Sequence, residues 1–166
     1  MRYILLKTIA FHLFFLVLHY TYEALPYRVI GVFAPTSESV MQHMKGAFYA
    51  WTLVSMGELA LRRDFWRRVF DANLLTNLLA PWAMFAWYIA SALGLQPLPS
   101  TAIEIVYANV VLFVAGLGLA VLARDLVSAT FSRSARGVML AFYMVFAMLL
   151  AVFSFETPWG GFFTHP

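Results

Sequence analysis

Residues 101–122 read TAIEIVYANVVLFVAGLGLAVL, and this stretch decides the class of fold. Its only charged residue is Glu104, near the beginning, and the remainder is almost entirely apolar. A helix of about 20 apolar residues is long enough to cross the hydrocarbon core of a bilayer. The stretch therefore predicts a membrane-spanning helix.

Four further stretches have similar length and character, so the sequence predicts an all-α integral membrane bundle of five transmembrane helices. Hydrophobic residues make up 63% of the chain and charged residues 11%, with a mean hydropathy of +0.79, which excludes an ordinary soluble domain. With 166 residues, the chain is predicted to form a single transmembrane domain, 1–166. The absence of cysteine excludes disulfides, iron–sulfur clusters and thiolate zinc sites. The five predicted helices are Tyr3–Leu25, Ser39–Leu61, Leu74–Leu95, Thr101–Leu122 and Gly137–Phe155.

Basic residues predict the orientation of this bundle. With five spans, three groups of arginine and lysine fall on one side, which the positive-inside rule makes cytoplasmic. The N-terminus is then inside and the C-terminus outside, in a multi-pass protein of the cell membrane. The sequence pI of about 9.4 is explained by this topology, and no nucleic-acid partner is predicted. The three groups are Arg2 and Lys7; Arg62, Arg63, Arg67 and Arg68; and Arg124, Arg133 and Arg136.

Acidic residues divide into two sets by their neighbours. On the inner side, Glu58 precedes Arg62 by four residues, Asp71 follows Arg67 by four, and Asp125 adjoins Arg124, which predicts local ion pairs. On the outer side the acidic residues outnumber the permanent cations and lie beside histidines. This outer set comprises Glu23, Glu38, Glu104, Glu156, His19, His43 and His165, facing Arg28 and Lys45.

The connection before the second predicted helix carries part of this outer set. Residues 26–37 are too few to span a bilayer but include several apolar side chains, so they are predicted to lie in the interface or to enter the mouth of the bundle. The run Pro35-Thr36-Ser37-Glu38 then predicts a helix start, with Thr36 or Ser37 as the N-cap and Glu38 in the first turn.

Helical spacing predicts a polar pocket in the outer half of the bundle. His19 and Glu23 are four residues apart and share a face, as are Ser39 and His43, with Lys45 slightly deeper. Nitrogen and carboxylate ligands converging from two helices suit zinc or another divalent metal, and we predict the ligands His19, Glu23 and His43. Glu38, Ser39 and Lys45 are the predicted catalytic residues. In a purely structural alternative, Glu38 stabilises its helix N-terminus and His19–Glu23 is a buried hydrogen bond.

Three weaker patterns are explained more simply by helix packing than by a functional site. His12 precedes His19 by seven residues on the same face and is more readily a satisfied interior histidine than a haem ligand. Asn73, Asn77 and Asn109 are typical of hydrogen bonds between membrane helices. The run Ala115-Gly116-Leu117-Gly118 predicts a close-packing surface within the chain.

One part of the chain resembles a known sequence signature. The run His19-Tyr20-Thr21-Tyr22-Glu23, followed by Glu38-Ser39 and then His43-Met44-Lys45, is similar to the pattern H-[FY]-x-Y-E and N-E-S-x-x-x-H-x-K. That pattern marks an uncharacterised family of small bacterial and archaeal membrane proteins. Ser37 stands where the family usually has Asn. The resemblance implies that His19, Glu23, Glu38, Ser39, His43 and Lys45 form one constellation, without implying a reaction.

A more distant comparison concerns alkaline ceramidase-like membrane hydrolases. Ser39-x-x-x-His43 is similar to the serine and histidine with which they help build a zinc site, whereas their paired late histidines are missing here. The sequence thus predicts a metal-dependent hydrolase or transferase acting on a lipid or another amphiphile that enters from the bilayer. The alternative is a non-catalytic accessory subunit of a membrane protein partner, or a small-ligand binding protein, with a structural polar cluster.

Overall fold

A computed structural model describes residues 1–62, 66–90 and 100–155, and in these ranges α-helices are joined by short turns and bends, without a strand. The all-α prediction is confirmed. Glu156, His165, the rest of the tail and most of the turn at 96–100 lie outside the described residues. Six helices follow in chain order: α1 (Arg2–Ala24), α2 (Arg28–Phe33), α3 (Val40–Leu61), α4 (Trp66–Ala90), α5 (Thr101–Leu126) and α6 (Arg133–Val152).

Among the described residues, three helices are long and apolar enough to cross a membrane: α1, α5 and α6. This identifies the chain as a membrane protein by helix length and composition. The helices α3 and α4 cover most of the second and third predicted spans but carry several buried polar side chains. These include Gln42, Lys45, Ser55 and Glu58 on α3, and Asp71, Asn73, Thr76 and Asn77 on α4.

Two helices begin earlier than the predicted boundaries. α4 begins at Trp66, eight residues before Leu74, because the basic and amide-bearing residues after Trp66 continue the helix although they are not apolar. α6 begins at Arg133, where the hydroxyl of Ser132 accepts a hydrogen bond from the backbone of Ala135. The apolar content of a sequence therefore predicts which part of a helix can lie in lipid. Capping residues show where the helix begins or ends.

The helix α3 lies at the centre of the bundle, packed against α1 and α4, while α5 packs against the same two helices. Trp51 of α3 is fully buried, contacts Phe11 edge-to-face at 5.2 Å between ring centroids, and donates to Thr76 Oγ1 at 3.0 Å. Gly116 of α5 permits close approach to α1, since a Cβ atom there would lie 2.8 Å from Cδ1 of Phe11. The predicted glycine packing surface is therefore confirmed at Gly116.

Ion pairs lie at the end of the bundle that contains the start of α1, some within one helix and some between helices. Glu58 contacts Arg62 at 3.6 Å and Asp125 contacts Arg124 at 2.7 Å, as predicted. The predicted pair of Asp71 with Arg67 is wrong. Asp71 instead accepts two hydrogen bonds from Arg136 of α6, at 2.5 and 2.6 Å, because α6 packs against α4 and brings a planar guanidinium to the buried carboxylate.

Candidate metal centre

Two imidazoles and one carboxylate meet at the opposite end of the bundle from these ion pairs. His19 lies near the end of α1 and His43 near the start of α3, while Glu38 immediately precedes the N-cap of α3. Because α1 and α3 pack against one another with opposite chain direction, both imidazoles reach the same depth. One donor atom from each of the three side chains lies within 4.8 Å of the other two.

The Glu38 carboxylate bridges the two histidines. Its Oε1 lies 3.4 Å from Nε2 of His19, and its Oε2 lies 3.3 Å from Nε2 of His43. The imidazole rings are 5.1 Å apart between centroids, inclined at 38°. We call His19, Glu38 and His43 the His–Glu–His cluster.

The helix cap of α3 orients one of these imidazoles. Ser39 is the N-cap, and its hydroxyl accepts a hydrogen bond from the backbone of Gln42. The Ser39 carbonyl lies 2.9 Å from Nδ1 of His43, so Nδ1 carries the proton and donates it. Nε2 of His43 is then the nitrogen whose lone pair is available, and it is the nitrogen that faces Glu38.

A lone pair facing a carboxylate oxygen is unfavourable unless a positive charge lies between them. That charge is either a proton on the imidazole or a metal ion. Separations of 3.3 and 3.4 Å are long for a charge-assisted hydrogen bond, which is usually about 2.7–2.9 Å. Each separation is close to the ligand–ligand edge of a tetrahedral site, which is about 3.4 Å when each ligand atom is 2.0–2.1 Å from zinc, and the two histidines face different oxygens of the carboxylate. The spacing therefore suits a bound metal.

The His–Glu–His cluster is buried on one side and exposed on the other. The side chains of His19 and His43 are 14% and 16% exposed, and that of Glu38 is 49% exposed. Phe15 stacks beside His19 at 6.0 Å and contacts His43 at 6.4 Å, which closes the side toward the core. A ligand can consequently approach from the surface that Glu38 occupies.

The structure places the six predicted site residues in different surroundings. His19 and His43 meet as predicted, and the carboxylate between them is Glu38. Glu38 precedes the helix instead of lying in its first turn, because Ser39, rather than Thr36 or Ser37, is the N-cap. Glu23 is exposed and lies outside the cluster, near enough to influence His19 electrostatically. Ser39 is 1% exposed and its hydroxyl is engaged in the cap.

Lys45 points to a different part of the structure. Its side chain is 1% exposed, and Nζ donates to the carbonyl of Gly31 at 2.7 Å and to Oγ of Ser154 at 2.8 Å. These contacts connect α3 to the short helix α2 and to the end of α6. The apolar connection at 26–37 thus packs onto the bundle, through α2, against α1, α3 and α6.

Sequence reasoning overlooked a second buried cluster, at the cationic end of α1. Lys7 Nζ contacts Glu58 Oε2 at 2.6 Å, and Glu58 Oε1 accepts from the hydroxyl of Tyr3 at 2.7 Å. Asn73 of α4 contacts both Lys7 and Glu58, so its predicted role between helices is confirmed. The sequence did contain a signal for this cluster. Lys7 is a charged residue within an apolar span, and such a residue requires a partner at the same depth in the bundle.

No family model, curated protein or solved structure matches this chain. The resemblance to an uncharacterised family stays a prediction, and the function rests on the geometry of the cluster.

Proposed function

We propose that this protein is a multi-pass protein of the cell membrane that binds one divalent metal, zinc being the best fit, through His19, Glu38 and His43. The observation that carries the proposal is the Glu38 carboxylate positioned between two Nε2 atoms at tetrahedral-edge spacing. Glu38 replaces Glu23 in the ligand set that we predicted from the sequence. Two histidines and a glutamate are a known set for catalytic zinc, which keeps a fourth position for water or substrate.

The proposed topology places this site on the extracytoplasmic side. Five spans, with α3 and α4 crossing alongside α1, α5 and α6, put the arginine-rich connections in the cytoplasm. The His–Glu–His cluster lies at the opposite end of α1 from Lys7, twelve residues or about 18 Å along the helix axis. The N-terminus is then inside and the C-terminus outside.

The proposed activity is hydrolysis or group transfer on a lipid or another amphiphile. Zinc held by the cluster would supply a Lewis acid at the outer bilayer boundary, where ester and phosphoester groups of lipids lie. Among the residues of the chain, His43 is held in its ligating tautomer by the Ser39 carbonyl, and Phe15 keeps the core side dry. Glu38, half exposed, is the ligand closest to an arriving substrate.

One observation favours a second candidate, a non-catalytic binding or accessory protein. Two of the predicted catalytic groups have structural contacts, since the Ser39 hydroxyl caps α3 and Lys45 Nζ joins α2 to α6. In that case the His–Glu–His cluster would join α1 to α3 as a structural polar cluster, and no turnover would occur.

Chelation and reconstitution distinguish these two candidates. Purified protein in detergent is stripped with a chelator, reloaded with zinc, and assayed with ester and phosphodiester amphiphiles. The enzyme proposal expects hydrolysis that disappears on stripping, returns with zinc, and is abolished in Glu38→Gln. Zinc binding without zinc-dependent hydrolysis contradicts the enzyme proposal, while failure to bind zinc contradicts the metal site and favours the accessory protein with a structural polar cluster.

A further inference from the structure

Positive charge is in surplus at the end of the bundle that contains the start of α1. Each acidic residue described at that end already has a cationic partner: Glu58 with Lys7 and Arg62, Asp71 with Arg136, and Asp125 with Arg124. Four arginines there are exposed and form no ion pair with a described carboxylate: Arg2, Arg67, Arg68 and Arg133. An anion from outside the chain can neutralise this surplus.

The Asp71–Arg136 ion pair brings two of these arginines to one level. Because α4 and α6 both begin at this end and pack together, Asp71 and Arg136 lie near the start of each helix. Arg67 precedes Asp71 by four residues and Arg133 precedes Arg136 by three. Each arginine therefore lies on the helix face that carries the ion pair, about one turn beyond it. Axes of packed helices are about 8–10 Å apart, a gap that two arginine side chains can bridge around one phosphate group.

This level coincides with the boundary of the bilayer. The helix α6 has 20 residues and a length of about 30 Å, which equals the thickness of a hydrocarbon core, so its first residue, Arg133, lies at the edge of that core. Trp66, half exposed at the start of α4, contacts the guanidinium of Arg67 at 5.4 Å from its ring. Tryptophan is enriched at membrane interfaces. The two arginines are consequently at the depth of lipid phosphate groups.

We propose that Arg67 and Arg133 bind the phosphate of an anionic phospholipid between the starts of α4 and α6. A guanidinium donates paired hydrogen bonds to phosphate oxygens, and here one guanidinium comes from each helix. Leu140 and Met144 follow Arg133 by seven and eleven residues, so they lie on the same stripe of α6, and both are exposed. They provide an apolar surface for an acyl chain directly below the phosphate.

Charge complementarity favours an anionic lipid over a zwitterionic one. A zwitterionic headgroup carries its own cation beside the phosphate, which the surplus arginines repel, whereas phosphatidylglycerol has none. Basic pockets between membrane helices are known to bind anionic headgroups. The proposal does not depend on the metal site, because the His–Glu–His cluster lies at the opposite end of the bundle. It also differs from an effect on orientation alone, which requires basic residues on one side but no partner on a neighbouring helix.

Native mass spectrometry of the full-length protein in detergent tests the proposal. The protein is titrated with dioleoylphosphatidylglycerol or dioleoylphosphatidylcholine at an ionic strength of about 0.15 M, and the affinity for the first bound lipid is measured. Phosphatidylglycerol should bind at least about tenfold more tightly than phosphatidylcholine. Arg67→Gln and Arg133→Gln should each weaken phosphatidylglycerol binding about fivefold, the effect of one cation near a headgroup.

Arg124→Gln is the matched control. It removes the same charge from the same end of the bundle, but at a guanidinium that is paired with Asp125 at 2.7 Å. Its affinity for phosphatidylglycerol should remain within about twofold of the parent value, since a charge beyond the screening length of about 8 Å has little effect. Melting temperatures check that each variant is folded. Where a glutamine variant does not fold, Arg67→Lys or Arg133→Lys replaces it, and it should still bind more weakly because lysine lacks the paired donors.

Three results would overturn the proposal. The first is equal affinity of the parent protein for phosphatidylglycerol and phosphatidylcholine. The second is equal weakening by Arg67→Gln, Arg133→Gln and Arg124→Gln, which would indicate diffuse attraction to the whole basic end, or parental affinity in folded variants of Arg67 and Arg133. The third is displacement of phosphatidylglycerol by glycerol phosphate at equal concentration, which would make the ligand a soluble phosphate compound.

Discussion

The ammonium of Lys7 on α1 lies 2.6 Å from the carboxylate of Glu58 on α3, and both side chains are less than 10% exposed. Tyr3, Asn73 and Trp51 surround the pair, with the Trp51 ring 4.9 Å from Nζ. Two charges removed from water are tolerated here because each has the other and additional hydrogen bonds. This pair therefore fixes the relative depth of α1 and α3, and with it the level at which His19 meets His43.

Removal of one partner should destabilise the bundle strongly. Lys7→Met or Glu58→Gln leaves a buried group uncompensated, and we expect a loss of about 3–5 kcal/mol in the free energy of unfolding. The double variant Lys7→Met, Glu58→Met should recover much of this loss. Unfolding in mixed micelles measures it, with Arg124→Gln as the matched control at an exposed pair, where at most about 1 kcal/mol is expected. Equal effects at both pairs would contradict the role assigned to Lys7 and Glu58.

Two glycines on α5 offer a matched test of helix packing. A Cβ at Gly116 would meet Phe11 at 2.8 Å, whereas a Cβ at Gly118 would meet nothing within 4 Å. We expect Gly116→Ala to destabilise by about 1–3 kcal/mol through overpacking. Gly118→Ala should be neutral or stabilising by up to about 1 kcal/mol, because alanine is the better helix former. Indistinguishable melting temperatures for the two variants would show that α1 and α5 do not pack as described.

Lys45 should behave as a structural residue. Lys45→Met removes the donor to the Gly31 carbonyl and to Ser154, and a buried carbonyl left unpaired costs about 1–3 kcal/mol. Melting temperature should therefore fall while zinc content stays at the parent level. A Lys45→Met protein of parental stability that binds zinc but has lost turnover would instead support the catalytic role predicted from the sequence.

The proposed topology predicts an extracytoplasmic C-terminus. Alkaline phosphatase, which is active only outside the cytoplasm, should be active when fused after Pro166, and a cytoplasmic fluorescent reporter at the same position should not. Fusions after Arg62 should give the opposite pattern. Cytoplasmic reporter activity at Pro166 would contradict five spans with an inside N-terminus. Together with alkaline phosphatase activity after Arg62, it would mean that the bundle is inverted and that the His–Glu–His cluster faces the cytoplasm.

The sequence was sufficient for the all-α class and for the pairing of His19 with His43, because both follow from helical periodicity and apolar composition. It was insufficient for Glu38. That residue became a candidate ligand only because α3 begins at Val40, after the N-cap Ser39, which leaves Glu38 in the preceding bend. Spacing along one helix favoured Glu23, but the direction of a side chain in a connection depends on packing between α1, α2 and α3. The pairs Lys7–Glu58 and Asp71–Arg136 likewise depend on which helices are neighbours.

Zinc stoichiometry in two glutamate variants tests the central claim most directly. Protein purified from zinc-supplemented cells is analysed by elemental mass spectrometry after exhaustive dialysis, with melting temperature as a check on folding. Glu38→Gln removes the negative charge of a proposed ligand in the cluster. Glu23→Gln makes the same change near the end of α1, outside the cluster. We predict about one zinc per chain in the parent and in Glu23→Gln, and a clearly lower zinc content in a folded Glu38→Gln, because loss of this ligand should lower the affinity for zinc by at least about tenfold. A parent protein without zinc, or a Glu38→Gln variant that retains it as tightly as the parent, would contradict the claim.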